Sequence, residues 1–447
     1  MKTIVLFGAG QSATVLIEFL ESNAAQEDWQ IIVVDANLSL AESKITQPQY
    51  AKAVSFDILN ESERSRYIKQ ADIVISMLPH ALHIEVAKDC VRFQKNLLTA
   101  SYADKAMQEL QPEIEKKRLL FLCEMGLDPG IDHMSAKKII DEIQFKGGTI
   151  TSFTSHCGGL VAPESDDNPW HYKVSWNPGN IINAGKTGGH YKENGKEVFV
   201  TYNELFQNKN LVTIPGLDRL AWYPNRDSLH YTKIYGLENV PTFIRSTLRH
   251  PDFMSGWQQL IQLKFLDENI YYNTDGKSLQ TLFTEHLQQQ AFDDWTYAAL
   301  AGRKLNATDQ LFFEQFCFLG LTDNETKINA GKCSIIDIMR FAVVNKLKLF
   351  PTDKDMIVML HQFTYECEGK KQELDSVLIA KGENNLRTAM AKTVGLPLGI
   401  AAKFILQGRI KMTGLQIPIA KEIYEPVLAA LANEGIVFRE TYGAAKT

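Results

Sequence analysis

Thr3-Ile4-Val5-Leu6-Phe7-Gly8-Ala9-Gly10-Gln11-Ser12-Ala13 opens the chain as a buried strand that stops at a glycine-rich turn. The apolar run has strand length, and residues Thr14 to Glu21 then place Val15, Leu16, Phe19 and Leu20 on one side of a helix. The turn is therefore G-x-G-x-x-A between a strand and a helix, the setting in which that spacing holds a dinucleotide. Gly8 permits the tight turn, Gly10 lets the backbone approach a pyrophosphate, and small Ala13 lets the helix pack on the strand. The helix start, with Gln11 and Ser12, presents free N–H groups to the phosphates. A second strand, Trp29 to Val34, ends in Asp35, followed by Ala36 and Asn37. A carboxylate there accepts from a ribose 2′-hydroxyl and repels a 2′-phosphate. No arginine follows to clamp a phosphate, so the pattern favours NAD, with NADP as the other expectation.

Strands and helices go on alternating through Ala53-Val54-Ser55-Phe56, Asp72 to Leu78, Asn96 to Thr99 and Leu119 to Cys123. This predicts a doubly wound parallel sheet, whose ligands bind beyond the carboxyl ends of its strands. Asp57 and Ile58, Leu78, Thr99-Ala100-Ser101 and Gly126-Leu127-Asp128 fall at those ends and complete the expected cofactor lining. His80 reads as a loop histidine. Within Glu124-Met125-Gly126-Leu127-Asp128-Pro129-Gly130-Ile131-Asp132-His133, Asp128 suits a helix N-cap and Pro129 the first helical position. The stretch is expected to be the hinge where a cofactor domain meets a substrate domain.

Length and composition set the outer bounds. A chain of 447 residues calls for two or three domains, and 45% hydrophobic with 22% charged residues is ordinary for a globular protein. A net charge of −6 excludes a basic nucleic-acid-binding face as the chain's main feature. The six cysteines, at 90, 123, 157, 317, 333 and 367, form no C-x-x-C pair. No metal site is expected, and a reducing, cytoplasmic setting is. The first residues lack the long apolar region of a signal sequence, and no run is expected to reach the length of a membrane span.

After residue 148 the texture changes. Thr149 to His156 and Val198 to Tyr202 read as strands, about 253–320 as helical, and Glu368-Gly369-Lys370-Lys371 as the turn of a hairpin. The tail from Leu386 reads as helical, with Gly395-Leu396-Pro397 as a break.

Several blocks, spread in order over nearly the whole chain, carry a more specific signal. They are Gly126 to Met134, Cys157-Gly158-Gly159-Leu160 with Ala162-Pro163-Glu164, and Asn168-Pro169 with Tyr172-Lys173-Val174-Ser175-Trp176. Further on come Tyr223-Pro224-Asn225-Arg226-Asp227-Ser228, Ser246-Thr247-Leu248-Arg249, Ile400-Ala401-Ala402-Lys403 and Lys421-Glu422-Ile423-Tyr424. In these blocks the chain resembles saccharopine dehydrogenases of the L-glutamate-forming type. The resemblance implies an α/β Rossmann-type domain built from residues 1–127 and 390–447. It also implies an α+β substrate domain, residues 128–389, with a mixed sheet and a helical subdomain at about 253–330.

The implied reaction is NAD(P)-dependent oxidation of saccharopine to L-glutamate and 2-aminoadipate 6-semialdehyde, or its reverse. Arg226 and Arg249 are implied carboxylate clamps, with Thr247 and Leu248 beside them and Ser101 as a further substrate contact. Arginine's planar fork suits that task where lysine does not. Tyr102, Asp128 and Cys157 are the implied groups for substrate contact and proton transfer, and Ser175 an implied cofactor contact. Ser246 stands where relatives often have glycine, so that segment is expected to sit differently. A homodimer through the substrate domain is a further expectation. Carboxynorspermidine dehydrogenases keep the fold but change the amine, and a dinucleotide-binding regulator without catalysis is the remaining alternative.

Overall fold

The computed structural model describes residues 1–207 and 210–444. β1 (Lys2–Phe7) is inaccessible from Ile4 to Phe7, as a strand covered on both faces by helices must be. It pairs in parallel with β2 (Trp29–Asp35), which pairs with β3 (Ala51–Ser55); on its other side lie β4 (Ile73–Ser76), β5 (Asn96–Thr99) and β6 (Leu120–Leu122). The order reverses between β1 and β4, so the carboxyl ends of these two strands open a crevice. A seventh strand, Gly414–Gln416, adds in parallel to β6. At three residues it is too short to show a period in the sequence, which predicts only helix for the tail.

The chain forms two compact units. The first comprises Met1–Ile150, Tyr365–Gln372 and the tail from Leu378. The expected boundary at 127/128 thus moves to Ile150. The helix Ile131–Phe145 belongs to the first unit because it packs on the tail helix Lys421–Asn433, where the Tyr424 hydroxyl donates to Asp141 at 2.7 Å. Glu124 to His133 therefore lies inside this unit.

Its helix also starts later than expected. Asp128–Pro129 is a cis peptide bond, and Gly130, at φ 147°, is the N-cap residue. A Cβ on Gly130 would stand 2.0 Å from the Gly126 carbonyl oxygen, so the turn admits only glycine there. Asp132 binds the turn's backbone, accepting from Gly130 N–H at 2.6 Å.

The helix Ala389–Leu406 runs unbroken through Gly395-Leu396-Pro397. Its glycines serve close packing: a Cβ on Gly395 would stand 2.9 Å from the Leu16 backbone nitrogen, on α1 (Thr14–Glu27). This helix also corrects the expectation about apolar runs. Its 18 residues have a mean hydropathy of 1.4, enough in length and composition to cross a membrane. The share buried within the protein is 72%, as in the core helix of a globular domain.

The second unit holds most of a mixed sheet in the order Leu211–Val212, Leu220–Pro224, Thr242–Arg249, Thr149–Val161, Asp355–Cys367, Lys370–Lys381. Thr242–Arg249 runs parallel to Thr149–Val161 and antiparallel to Leu220–Pro224. The helices Pro251–Gln262, Leu279–Gln289, Ala307–Phe316 and Ile335–Lys346 close around an aromatic core that includes Trp170, Trp257, Phe265, Phe283 and Phe316. The helical part thus extends past the expected limit near 330.

Candidate active site

In the first unit the residues at the carboxyl edge of the sheet divide into those the fold needs and those it does not. Gly8, at φ 99°, has no room for a side chain: a Cβ would meet the Met77 carbonyl oxygen at 2.8 Å. Gly10 differs, since a Cβ there would meet nothing within 4 Å. The fold does not require glycine at 10; the approach of an external group does. Gln11–Ala13 form a single 3₁₀ turn that feeds α1, with Ala13 buried against the sheet. Glycine loop, free helix start and switch point fit a dinucleotide pyrophosphate.

Asp35 accepts from Ala9 N–H at 2.8 Å and from Asn37 N–H at 2.9 Å. Its carboxylate is thereby fixed against the glycine loop, with Ala36 exposed beside it. Asp57 is exposed and accepts from Leu59 N–H at 2.9 Å, while Ile58 enters the core and its carbonyl accepts from Arg64. Both have structural partners of their own. Leu78 is half-buried past β4, and Thr99 is buried at the end of β5, its hydroxyl accepting from Ser101 N–H at 3.2 Å. Ala100 lies where a Cβ on Gly126 would strike its own at 2.9 Å. Leu127 is buried, and Ser101, Tyr102 and Asp128 are half-buried on the loops after β5 and β6.

Sequence reading missed two histidines that hold these loops. His83 is buried, its Nδ1 2.7 Å from Ser76 Oγ and its Nε2 2.7 Å from Ser101 Oγ. Burial pushes its pKa down to about 4, so it is neutral near pH 7. His133, fully buried, bonds Glu124 at 2.8 Å, and Glu124 accepts from Ala103 N–H at 3.2 Å. Glu124 N–H donates to the Ser101 carbonyl and Met125 N–H to that of Thr99, so the β5 and β6 loops are tied together. A period-based reading sees His83 only as a helix residue; its signal is pairing with serines distant in sequence. His80, exposed, meets Asp104 at 3.2 Å and stays a loop histidine.

In the second unit Arg249 ends the strand Thr242–Arg249 and is only 4% exposed. Its guanidinium donates to the Leu248 carbonyl at 2.8 Å and lies over the Tyr172 and Phe253 rings, 5.3 and 5.7 Å from their centroids. Its Nε is buried with no hydrogen-bond partner, and no carboxylate pairs with it among the described residues. A buried cation left in this state is set up for an external anion, because burial without a partner is costly.

Arg226 is exposed at φ 52° on the two-residue strand Arg226–Asp227. Pro224 is paired with Ser246, so Arg226 lies two residues past one partner and Arg249 three past the other. Along the paired strands the two arginines thus sit on opposite sides of that pair.

Cys157 is buried and in register with Thr247; Leu248 is buried and Thr247 half-buried. Ser246 lies within a strand, not a loop, and its hydroxyl meets buried His156 Nδ1 at 2.5 Å. Burial pushes the pKa of that histidine down to about 3. Lys173 is fully engaged with Asp353 at 2.7 Å and Asp167 at 2.9 Å, which identifies it as structural. Ser175 is buried close by in sequence, beyond the Val174 bridge to Lys348. Near Tyr172, side-chain donor atoms of His171, His250 and Asp252 lie within 4.8 Å of one another. They are already partnered: His171 meets Asp166 at 2.6 Å, and His250 Nδ1 accepts from Asp252 N–H at 3.2 Å as a helix cap.

These two sets of residues fall inside two contiguous family matches. Residues 4–122 match the saccharopine dehydrogenase NADP binding domain and residues 126–436 the saccharopine dehydrogenase C-terminal domain. The chain belongs to the saccharopine dehydrogenase family. It is 32% identical to saccharopine dehydrogenase [NADP(+), L-glutamate-forming] of Saccharomyces cerevisiae, over 98% of this chain and 99% of that one. The solved apo structure of the L-Glu-forming S. cerevisiae enzyme superposes with a TM-score of 0.87 at 31% identity, covering 99% of this chain and all of that one. Mitochondrial alpha-aminoadipic semialdehyde synthase of Mus musculus is 33% identical over 98% of this chain, but the chain spans only 47% of that protein's length. Within the family match, the glycine loop, Asp35, Ser101 and Tyr102 fall in the dinucleotide-binding domain, and Cys157, Arg226 and Arg249 in the C-terminal domain.

Proposed function

We propose that the chain catalyses the oxidation of saccharopine to L-glutamate and 2-aminoadipate 6-semialdehyde, and the reverse condensation. The observation that carries this is Arg249, a buried guanidinium with an unpartnered Nε in a chain aligned end to end with an L-glutamate-forming relative. Saccharopine has carboxylates towards both ends of a long chain, which calls for more than one cation, a part we give to Arg226 and Arg249. The products fix the bond that breaks. The carbon that becomes the aldehyde loses a hydride, the nitrogen loses a proton, and water adds to the resulting C=N before the C–N bond opens.

The bound dinucleotide supplies the hydride acceptor; Gly8, Gly10 and the start of α1 would hold its pyrophosphate. Arg249 orients a substrate carboxylate. Tyr102, Asp128 and Cys157 are the groups proposed to take the amine proton and to activate water. The six cysteines form no C-x-x-C pair, which favours a reducing compartment.

For the cofactor we favour NAD, although the relatives' names specify NADP(+). The Asp35 carboxylate is held at the end of β2 by Ala9 and Asn37, where a 2′-phosphate would meet like charge.

The test is turnover of purified protein with saccharopine and with carboxynorspermidine, each with NAD and NADP, following reduced nicotinamide and identifying the products. Glutamate and semialdehyde from saccharopine are expected, with kcat/KM higher for NAD. Asp35→Ser is expected to raise kcat/KM for NADP by about tenfold, the worth of roughly 1.4 kcal/mol. Turnover of carboxynorspermidine alone, or binding without turnover, overturns the reaction; an NADP preference unchanged by Asp35→Ser overturns the cofactor reading alone.

A further inference from the structure

Ser76, His83 and Ser101 form a chain of buried and half-buried hydrogen bonds whose direction can be worked out from the partners available. The Ser76 hydroxyl, at the end of β4, is fully inaccessible, and among the described residues its only side-chain partner is His83 Nδ1 at 2.7 Å. If Nδ1 carried the ring proton, the Ser76 hydroxyl could only accept, and its own proton would be buried without an acceptor, which is costly. Ser76 therefore donates to Nδ1. Burial holds the imidazole neutral near pH 7, so the single ring proton sits on Nε2. Nε2–H then donates to Ser101 Oγ at 2.7 Å. With that oxygen accepting, the Ser101 hydroxyl proton has no acceptor among the described residues and is available at the crevice edge beyond β5.

We infer that His83 is a positioning residue, held by Ser76 as the Nε2–H tautomer, that makes Ser101 an outward hydrogen-bond donor to an acceptor oxygen of the bound ligand. The acceptor is of the carboxylate or carboxamide class, which both a substrate carboxylate and a nicotinamide side chain provide. The inference rests on the proposed reaction only for the choice between those two; the tautomer does not depend on it. Loop ties from Glu124 N–H and Met125 N–H hold the Ser101 and Thr99 backbone while the relay sets the hydroxyl.

Long-range ¹H–¹⁵N NMR of histidine-labelled full-length protein reads the tautomer directly. His83 is expected to show a protonated Nε2 and a bare Nδ1 from about pH 6 to 8. A protonated Nδ1 overturns the inference, and this readout needs no variant to fold. In steady state, Ser101→Ala is expected to raise one KM by about tenfold, and Ser76→Ala to raise the same KM by about threefold although Ser76 is inaccessible to ligand. The double variant should be no weaker than Ser101→Ala alone, because both changes remove one bond. A rise in the KM for saccharopine identifies a carboxylate acceptor, and a rise in that for the dinucleotide a carboxamide. Additive effects, or both KM values unchanged in Ser101→Ala, overturn the relay. If wild type binds dinucleotide but does not turn over saccharopine, the proposed reaction fails, while the tautomer and the dinucleotide Kd of the same variants still judge the relay.

Discussion

Arg249 shows how a single residue can be poor for stability and still be present. Its charge is buried without a counter-ion among the described residues, and its compensation is bonds to the Leu248 and Gly159 carbonyls, at 2.8 and 3.5 Å, and two ring faces. Arg249→Leu is therefore expected to leave the thermal midpoint unchanged or raised, while Arg249→Lys and Arg249→Leu both raise KM for saccharopine by about 10- to 100-fold, the worth of a charge-assisted bond. Calorimetry beside steady-state kinetics checks both halves, and a large loss of stability with unchanged KM would mark the arginine as structural.

His171 shows the opposite balance. The bond to Asp166 raises its pKa, against the effect of burial, with Asp166 and Asp252 adding their charge. A raised value means stability is fully present below the ordinary imidazole value of about 6.5 and is lost as pH rises through the raised one. His171→Asn should lower the thermal midpoint against wild type near pH 6 and match it near pH 9. The neighbouring His250, lowered by burial and by His171's charge, works in the other direction and limits the size of the difference.

At the scale of elements, the two glycine turns separate folding from function. Gly130→Ala would place a Cβ 2.0 Å from the Gly126 carbonyl oxygen, and should cost on the order of 3 kcal/mol or more, seen as a large fall in thermal midpoint. Gly10→Ala meets nothing in the protein, and its φ of −61° suits alanine. It should keep the midpoint and weaken dinucleotide affinity by about tenfold or more, measured by titration calorimetry. A Gly10→Ala protein that binds normally would remove the pyrophosphate from that turn.

The β1 strand, the glycine spacing and Asp35 were legible because each rests on local chemistry. The start of the helix after Pro129 was not, since Asp128 and Pro129 satisfy every local rule for a cap. Only the contact of Gly130 with Gly126 decides the turn. Gly395-Leu396-Pro397 misled for a similar reason: those residues break a lone helix, yet here Gly395 fits against Leu16.

For the whole molecule, the alternation of strands and helices was enough to expect a parallel sheet, but not where the first unit ends. That limit depends on the helix Lys421–Asn433 returning to cover Ile131–Phe145, a pairing of segments far apart in sequence. The site was legible to the same extent. Arg249 was named from its block, while its missing counter-ion, the relay through His83 and the Glu124–His133 pair are facts of packing. The proposed reaction takes a hydride from the carbon that becomes the aldehyde. It is tested most directly with saccharopine carrying two deuterium atoms at that carbon, incubated with the protein and oxidised dinucleotide. One deuterium per turnover is expected in the reduced nicotinamide and the other in the semialdehyde. Reduced nicotinamide without deuterium, or no reduction at all, would contradict the account.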